Sequence, residues 1–535
     1  MKKLTLQIVL FLISLLVLFS CNEQLENNQH VNAEWPADGI AYEIFVQSFY
    51  DSNGDGIGDI PGMTAKLDYL KELNVDAVWL MPIMPSPSYH KYDVVDYKGI
   101  DPAYGTMDEF KQFVTEAHSR NIKVIIDFII NHTSSQHPWF KNAKTGPDSK
   151  YRDYYVWANK DSIAQQIAKK ETSFDSDNIT QWHAVEGDTL ADHYYGFFYG
   201  GMPDLNFDNP TVRNEIYSIG RYWLQDVGVD GFRMDAAKHI YPDDRAEDNH
   251  AFWTEFKQEM QKIKPDVYIV GEVWANAKTQ APFVKGFSAL FNFDLAFSIL
   301  ESVNREKVVT ASIDKHGWQI DSTQSFINKI VSNDNIYQDV NPYYTDAIFL
   351  SNHDQNRAMS VLGNNTEKAK LAAAIMLTLP GTPYIYYGEE IGMKGMKPDE
   401  NIREPFLWEP YNNDIGRTKW ITPVYSTDST LNPLSIQKLD SNSLFSYYQK
   451  MISVRIEQPI LALGDISQLT LDNKNLLVYL RHYKGDTLVV IHNLSKNQQK
   501  MVLDNLKEII LGDSTWFSDQ GLEIPAYKSA IVKLD

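Results

Sequence analysis

Charged and polar side chains follow four apolar runs of this sequence, at the point where each run ends. They lie in the segments Asn131–His132, Arg233–Asp235, Gly271–Glu272 and His353–Asp354. A single aspartate in such a place is often only a helix cap or a turn former. Three carboxylates, an arginine and two histidines at matching strand ends instead indicate one common pocket, because the carboxyl ends of barrel strands converge.

The residues Arg233 and Asp235 have the spacing that brings two side chains to the same face of a strand. A neighbouring guanidinium lowers the pKa of a carboxyl group, which suits Asp235 as a nucleophile or a charge stabiliser. On the adjacent strand, a facing carboxylate raises the pKa of Glu272 toward the range of a proton donor. Two such groups could approach to about 5 to 5.5 Å, the separation found in retaining glycosidases. The residues alone therefore predict a hydrolase with paired carboxylates.

The acidic segment Asp51–Asp59 is a second candidate site. Oxygen-bearing side chains alternate along it and Gly56 stands at the sharp turn, as in the first half of a calcium-binding loop. Position twelve is Gly62 rather than glutamate and no helix is predicted before the segment, so it is not an EF-hand. The alternative interpretation is an acidic turn without a metal.

Eight candidate strands position these residues. They are Ala41–Val46, Ala77–Met81, Val124–Ile130, Gly231–Asp235, Tyr268–Glu272, Ala289–Phe293, Ile348–Asn352 and Pro383–Tyr387. Helical patterns lie between several of them, at Met63–Leu73, Met107–Arg120, Asn214–Asp226, His250–Ile263 and Thr366–Leu379. This alternation predicts an α/β fold whose strands close into a (β/α)8 barrel with its functional residues at their carboxyl ends.

Two further domains accompany the predicted barrel, which takes residues 36–131 and 204–456. About 70 residues connect the third strand to Asp204, far more than a simple loop needs, so residues 132–203 are expected to form a small inserted domain. Beyond residue 456 the pattern alternates and is rich in β-branched residues. Residues 457–535 are therefore expected to form a C-terminal antiparallel β-sandwich domain.

The amino terminus carries an export signal. Two lysines precede the apolar run Leu4–Ser20, and Cys21 follows at once. This junction resembles the lipobox of bacterial lipoproteins, in which the signal is removed before the cysteine and the cysteine is acylated. We expect residues 1–20 to be a signal peptide and 21–35 a tether that anchors the protein to a bacterial membrane, at the cell surface or in the periplasm. An uncleaved anchor helix is the alternative, because the run just reaches the length of a membrane span.

Composition narrows the class of protein. Of the 535 residues, 43% are hydrophobic and 22% are charged, as in an ordinary globular protein. With 49 basic and 70 acidic residues the net charge is −21, which repels phosphate backbones and argues against nucleic acid as a partner. The single cysteine excludes an internal disulfide.

Taken together, the strand-end segments resemble the conserved regions of the α-amylase family of glycoside hydrolases, family 13. The resemblance extends from about Ile40 through the eighth strand and includes Met202–Asn206. It implies that Asp235 forms the covalent glycosyl intermediate and that Glu272 is the acid and base. It also implies that Asp354 binds sugar hydroxyls and distorts the ring.

The same resemblance marks further residues as substrate contacts. The segment Tyr89–Asp93 resembles a motif in which a histidine and a tyrosine contact the sugar, although Lys91 stands where glycine is usual. Arg357 is similar to an arginine that helps to bind the nonreducing side. The full set is His90, Tyr92, Asp93, His132, Arg233, Lys238, His239, His353 and Arg357.

Specificity within the family is partly encoded just after the nucleophile. The run Ala236–His239 resembles α-amylases, whereas relatives that cleave short α-1,6-linked sugars usually have valine directly after the nucleophile. Met202–Asn206 resembles the group between oligo-1,6-glucosidases and neopullulanases. We expect a monomeric, retaining α-amylase that cleaves internal α-1,4 bonds of starch, maltodextrins and related α-glucans.

Other activities stay open on the same scaffold. They are those of an α-glucosidase, a neopullulanase or cyclomaltodextrinase, or a glucanotransferase. A starch-binding protein that has lost catalysis is a more remote alternative.

The family resemblance also implies structural Ca²⁺. The site equivalent to the acidic segment takes side-chain oxygens and one carbonyl, which here would come from Asp51, Asn53, Asp55 and Asp59 and from the carbonyl of Ile57. Another calcium site of the family lies near the positions of Asn131 and Asp204.

Overall fold

The computed structural model describes residues 39–164, 181–185, 192–314, 317–321, 325–503, 505–518 and 521–534. The predicted signal peptide, the tether and the lipidation site Cys21 lie outside these residues and remain predictions. In the described part of the chain, no helix is long and apolar enough to cross a membrane.

Eight parallel strands form the central sheet, which confirms the predicted barrel. They are Ala41–Ile44, Ala77–Leu80, Lys123–Phe128, Gly231–Met234, Tyr268–Gly271, Ala289–Leu290, Ala347–Phe349 and Thr382–Tyr386, numbered here as barrel strands one to eight. In the sheet the order is seven, eight, one, two, three, four, five, six. A parallel bridge between Phe291 and Ala347 joins strand six to strand seven and closes the ring.

The barrel strands are apolar because they are buried on both faces. Side chains that point inward fill the barrel and form one apolar cluster, which includes Trp79, Ile125, Val270, Phe291 and Tyr384. Side chains that point outward pack against the surrounding helices in a second, larger cluster.

Sixteen α-helical segments of four or more residues surround or follow the strands in the described ranges. They are Val46–Phe49, Ile60–Ala65, Leu67–Glu72, Met107–Ser119, Pro138–Ala143, Pro210–Arg221, Ala246–Gln261, Ala277–Gln280, Phe293–Asn304, Phe326–Gln338, Ala358–Val361, Thr366–Thr378, Asp399–Ile402, Leu434–Gln437, Leu444–Glu457 and Pro459–Leu463. The helix Met107–Ser119 begins with a capping box between Thr106 and Glu109, which satisfies backbone donors at its first turn.

Some boundaries differ from the prediction. Strand one ends at Ile44 rather than Val46, because Val46–Phe49 turns into a short helix. Strand six ends at Leu290, because the side chain of Asn292 accepts a hydrogen bond from Leu295 N and starts the next helix at Phe293.

The connection after strand three contains a small antiparallel sheet of three strands. They are Trp157–Asn159, Trp182–Ala184 and Asp192–Tyr195, and the last of these lies between the other two. A bridge between His132 and Asp204 joins the two ends of this connection at the barrel mouth.

The C-terminal region is antiparallel, as predicted. A five-stranded sheet contains Asp465–Gln468, Leu476–Tyr483, Asp486–Asn493, Leu506–Leu511 and Ser529–Leu534, and a three-stranded sheet contains Gln499–Met501, Phe517–Ser518 and Gly521–Ile524. Apolar side chains from both sheets, such as Val489, Met501 and Leu522, form a separate core.

Candidate active site

Arg233 lies at the centre of the site, fully buried in strand four. Its Nη1 donates to Asp127 Oδ1 at 3.0 Å and to Asp235 Oδ1 at 2.7 Å. Its Nη2 lies 2.8 Å from Glu272 Oε2. One guanidinium therefore contacts carboxylates from three adjacent strands and holds the two predicted catalytic groups on the same side of the barrel mouth.

Asp235 follows the last residue of strand four. Burial raises the pKa of its carboxyl group, and the Arg233 guanidinium opposes that rise. The lowered pKa expected from the arginine alone is therefore wrong in this structure, because loss of water around the carboxylate outweighs the attraction of one cation. Asp235 still accepts a short, charge-assisted hydrogen bond, which orients its other oxygen.

Glu272 follows strand five. Its Oε1 accepts a hydrogen bond from Trp274 Nε1 at 2.6 Å, and its Oε2 accepts one from Ala236 N at 3.1 Å. Burial raises the pKa of Glu272, Arg233 opposes this, and the charge of Asp235 adds to it. The direction agrees with the sequence prediction, but burial is a larger cause than the facing carboxylate.

Asp354 follows strand seven and has two cationic neighbours. Its Oδ2 lies 2.9 Å from His353 Nε2, and its Oδ1 accepts a hydrogen bond from Arg403 Nη2 at 3.0 Å. Burial raises the pKa of Asp354, but His353 and Arg403 outweigh burial and hold the pKa well below its usual range. Asp354 is therefore ionised at neutral pH and able to accept hydrogen bonds from hydroxyl groups.

These three carboxylates face a cleft of about 600 Å³ at the carboxyl ends of the barrel strands. This volume lies within the range of about 300–1,000 Å³ that is usual for sites of small ligands. The predicted residues that line the cleft are His90, Tyr92, His132, Asp235, Lys238, His239, Glu272 and Asp354. Arg233 and His353, predicted as substrate contacts, are fully buried beneath these residues and do not line it.

Comparison with known proteins gives the same picture as the geometry. Residues 43–464 match the family described as "Alpha amylase, catalytic domain". The chain belongs to the α-amylase family. It is therefore a glycoside hydrolase, and its residues 476–531 match the "Alpha-amylase SusG C-terminal domain".

The similarity to individual relatives extends over nearly the whole chain. It is 40% identical to "Alpha-amylase 3" of Dictyoglomus thermophilum over 94% of either chain. It is 37% identical to a "4-alpha-glucanotransferase" of Thermotoga neapolitana, over 88% of this chain and 98% of the relative. The solved α-amylase of H. orenii is 41% identical and superposes with a TM-score of 0.81, over 94% of this chain and all of that one.

Arg357 does not reach the cleft of this α-amylase family member. Its guanidinium group is 1% exposed and donates to the carbonyls of Ile402, at 2.9 Å, and Tyr387, at 2.7 Å. The prediction that Arg357 binds substrate is therefore wrong in this structure. The residue instead connects the loops after strands seven and eight.

Asp93 does not line the cleft either. It is buried and its Oδ1 accepts hydrogen bonds from the hydroxyls of Ser86, at 2.7 Å, and Ser88. Asp93 therefore shapes the loop that carries His90 and Tyr92, whereas the prediction placed it among the residues that line the substrate site.

Lys91 has the backbone conformation that explains why glycine is usual at this position. Its φ is +63°, in the left-handed region that glycine adopts without strain. The lysine side chain turns inward, where Nζ forms a buried ion pair with Asp101 at 2.7 Å.

Several residues of the cleft were missing from the sequence prediction. They are Phe198, Tyr199, Met202, Ala236, Trp274, Lys397, Asp399 and Arg403. Trp274 could have been found, because it lies two residues after Glu272, the same spacing that joins Arg233 to Asp235. Asp127 could also have been found, because it lies directly opposite Arg233 on the neighbouring strand.

The predicted calcium loop folds as a series of turns closed by its own side chains. Asp51 accepts hydrogen bonds from Gly54 N and Gly56 N, and Asp59 accepts one from Gly62 N at the start of a helix. In the described residues, no three His, Cys, Asp or Glu side chains converge closely enough to hold a metal ion by themselves. A cation here would need neutral oxygens as well, which Asn53 and the Ile57 carbonyl carry.

A second buried acidic group lies at the junction with the inserted sheet. Burial raises the pKa of Asp204 to about 8, and a hydrogen bond from Phe197 N opposes this only in part. Beside it, Asn131 Oδ1 is buried and has no hydrogen-bond partner among the described residues. A carboxyl group and an orphaned amide oxygen are ligands that suit a hard cation such as Ca²⁺.

Proposed function

We propose that this protein cleaves internal α-1,4-glucosidic bonds of starch, maltodextrins and related α-glucans, with retention of configuration. The observation that carries the proposal is that Asp235 and Glu272 share one guanidinium at the base of an open cleft. Retention needs one carboxylate to attack and a second carboxyl group to donate a proton nearby.

In the first step, an oxygen of Asp235 attacks the anomeric carbon while the bond from that carbon to the glycosidic oxygen breaks. Glu272 gives its proton to the leaving oxygen. Asp354 accepts hydrogen bonds from hydroxyls of the sugar being cleaved and stabilises its distorted ring.

In the second step, water attacks the same carbon and gives a proton to Glu272, which now acts as a base. The bond to Asp235 breaks and the free sugar leaves with its original configuration. Replacement of water by a sugar hydroxyl would give transfer instead, and the glucanotransferase relative makes this the main alternative.

Product analysis tests the specificity. Long maltodextrins incubated with the enzyme should yield mixed short oligosaccharides whose newly formed ends initially have the α configuration. Glucose as the sole early product would support an α-glucosidase, and products longer than the substrate would support a transferase.

The mechanism has a direct test in Asp235→Asn. The substitution keeps the shape but removes the nucleophile, so kcat should fall by at least about a thousandfold. Asp226→Asn, at an exposed position of the chain, is the matched control and should retain full activity. Unchanged turnover of Asp235→Asn would remove the mechanism.

We propose further that Ca²⁺ has a structural role in this protein. The side chains of Asp51, Asn53, Asp55 and Asp59, with the Ile57 carbonyl, would hold one ion, and Asn131 and Asp204 would contribute to another.

Chelation should lower the Tm, because a ligand of the native state stabilises it. Asp55→Asn and Asp204→Asn separate the two sites, since each should lower the Tm and remove part of the chelator effect. An unchanged melting curve in protein shown to be metal-free would contradict both.

We also propose that the mature protein is a monomer anchored to a bacterial membrane through lipid on Cys21. The support is the lipobox-like sequence before that residue. Cys21→Ala should move the protein from the membrane fraction to the soluble fraction. Continued membrane association would contradict lipidation, and sedimentation of the released form should give one chain.

A further inference from the structure

Glu43 is an acidic residue within the first barrel strand. Its neighbours Tyr42 and Ile44 belong to the apolar core, and Glu43 itself is 2% exposed. A carboxylate in such a place is strongly destabilising unless it is paired. An acidic side chain inside a strand that is buried on both faces therefore needs a partner.

A continuous chain of contacts joins Glu43 to the cleft. Its Oε1 lies 2.6 Å from Nδ1 of His353, which is fully buried. The other ring nitrogen of His353, Nε2, lies 2.9 Å from Asp354 Oδ2. The imidazole ring is therefore held between two carboxyl groups, one inside the barrel and one facing the substrate.

The geometry restricts the protonation of this group of three residues. A neutral imidazole has one N–H donor and one bare acceptor nitrogen, whereas an ionised carboxylate can only accept. Two ionised carboxylates on opposite ring nitrogens are therefore both satisfied only by an imidazolium, which donates on both sides.

We propose that Glu43 is a positioning residue that holds His353 as an imidazolium and thereby keeps Asp354 ionised and aimed into the cleft. This inference rests on the glycosidase function proposed above, because it assigns a purpose to the charge of Asp354. Glu43 acts only through His353, since it does not line the cleft.

The other groups around His353 are compatible with this arrangement. The Trp79 ring of strand two meets the imidazole ring edge-on, with the ring centroids 5.5 Å apart. The hydroxyl of Tyr92, in the loop after strand two, lies 2.6 Å from Nε2 of His353. Other titratable groups lie around these three residues. The Tyr92 hydroxyl also contacts Asp127 and Arg233. Arg403 donates to the backbone carbonyl of His353, and Tyr386 lies beside Glu43 on the neighbouring strand. Burial lowers the pKa of His353, but the charges of Asp354 and Glu43 raise it to about 10.

Glu43→Gln is the decisive variant, because it keeps the size and hydrogen-bonding capacity of the side chain but removes its charge. The imidazolium then loses one counter-charge, so His353 should lose its proton at a lower pH. The pKa of the imidazolium, about 10 in the unmodified protein, should fall by at least about one unit. The basic limb of kcat/KM on maltodextrin should therefore steepen and shift to lower pH, with an additional loss of about fivefold near pH 10 and little loss near pH 5.

Glu390→Gln is the matched control. Glu390 is equally buried near the same strand, but its partners are the hydroxyls of Tyr42 and Tyr69 rather than a catalytic group. This variant should leave the basic limb in place. An unshifted limb in Glu43→Gln would show that Glu43 is a neutral hydrogen-bond donor, and a loss of activity that is uniform with pH would show a merely structural role. Either result overturns the proposal.

A measurement on the unmodified protein does not depend on the folding of any variant. The protein can be labelled with ¹⁵N-histidine, and the signals of His353 are assigned as those lost in His353→Asn. Both ring nitrogens of His353 should be protonated at pH 8. A bare ring nitrogen at that pH overturns the proposal. This readout is independent of turnover, so absence of glucan hydrolysis by the unmodified protein would contradict the proposed function and leave the imidazolium result standing.

Discussion

Trp274 donates a hydrogen bond to the proposed acid, Glu272, and its ring packs at a tilt against that of Phe293, with the ring centroids 4.1 Å apart. The bond favours the charged form of Glu272, so Trp274→Phe should raise the pKa of Glu272 while it keeps an aromatic ring in place. The proton donor then stays protonated to a higher pH. The basic limb of the activity profile should therefore move up by about 0.5 to 1 pH unit, from a bond worth about 1 kcal/mol.

Tyr199→Phe serves as the control for this shift. Tyr199 lines the same cleft but is 45% exposed, and no contact with either catalytic carboxyl group is observed among the described residues. Its variant should keep the original pH profile. A shift of the same size in both variants would mean that the cleft responds generally and not through the Trp274 bond.

Arg357 and Arg403 should separate stability from activity. Arg357→Met removes the donor to the buried carbonyl of Tyr387 and one of the two donors to that of Ile402, so the free energy of unfolding should fall by about 1 to 3 kcal/mol. The folded fraction should keep its kcat, because Arg357 does not line the cleft.

Arg403→Met should instead reduce kcat/KM by at least about tenfold, because Asp354 loses a cationic partner. Thermal unfolding and kinetics on the same preparations measure both effects, and loss of kcat in folded Arg357→Met would restore that residue as a substrate contact.

The two arginines also show which parts of the site could be predicted. Arg233 and Asp235 were paired correctly because the chain is extended there, and alternate residues of a strand point the same way. Arg357 lies beyond the strand, at the start of a short helix, where no period determines the direction of a side chain. Arg403 contacts Asp354 across 49 residues of chain, and no local pattern signals such a contact.

At the scale of elements, the loop after strand two combines a strained backbone with a buried ion pair. Lys91→Gly should relieve about 1 to 2 kcal/mol of left-handed strain but leave Asp101 without its cation, at a cost of about 3 to 5 kcal/mol. The lost ion pair outweighs the relieved backbone strain, so the free energy of unfolding should fall by about 2 kcal/mol. Thermal or urea unfolding measures the change.

Asn121→Gly is the control, because Asn121 has a φ of +58° and is exposed. It should change stability by less than about 1 kcal/mol. A more stable Lys91→Gly protein would show that strain outweighs the ion pair.

The elements themselves were largely predictable, because the barrel strands are short apolar runs separated by amphipathic helices. The differences occur where a local signal ends an element early. Asn292 caps a helix inside the predicted sixth strand, and the helix Pro210–Arg221 continues as a π-helix over Tyr222–Val227 until Gly228 adopts a φ of +94°. The positions of helix caps and π-turns depend on tertiary packing, and the periodicity of hydrophobic residues in the sequence does not encode that packing.

At the scale of the molecule, the fully buried Arg481 joins the C-terminal sheet to the barrel, and the equally buried Arg455 approaches the same place from the barrel helix Leu444–Glu457. Arg455 and Arg481 both donate to carbonyl groups near the end of the helix Thr366–Thr378, where the helix dipole favours a positive charge. Arg481 also donates to the carbonyls of Leu461 and Gly464. The two domains are therefore expected to unfold together.

Arg481→Met should lower the free energy of unfolding by about 2 to 4 kcal/mol, because it removes a donor from three buried carbonyls, of which the carbonyl of Leu461 keeps Arg455 as a second donor. Lys500→Met removes an exposed cation from the same domain and should cost less than about 1 kcal/mol. Calorimetry should show one shifted transition for Arg481→Met. A separate early transition of the C-terminal domain, with the barrel unaffected, would contradict the coupling.

The shared guanidinium of Arg233 has a consequence for the order of events during turnover. In the proposed mechanism, while Asp235 is free, burial and the negative charge of Asp235 raise the pKa of Glu272 against the attraction of Arg233, which favours a proton on Glu272. Once Asp235 is esterified its negative charge is gone, and Arg233 is shared only between Glu272 and Asp127. The proton affinity of Glu272 then drops at the moment when a deprotonated group is needed to activate water. Glu272 can thus change from a proton donor to a proton acceptor without moving, because esterification of Asp235 changes the charge beside it.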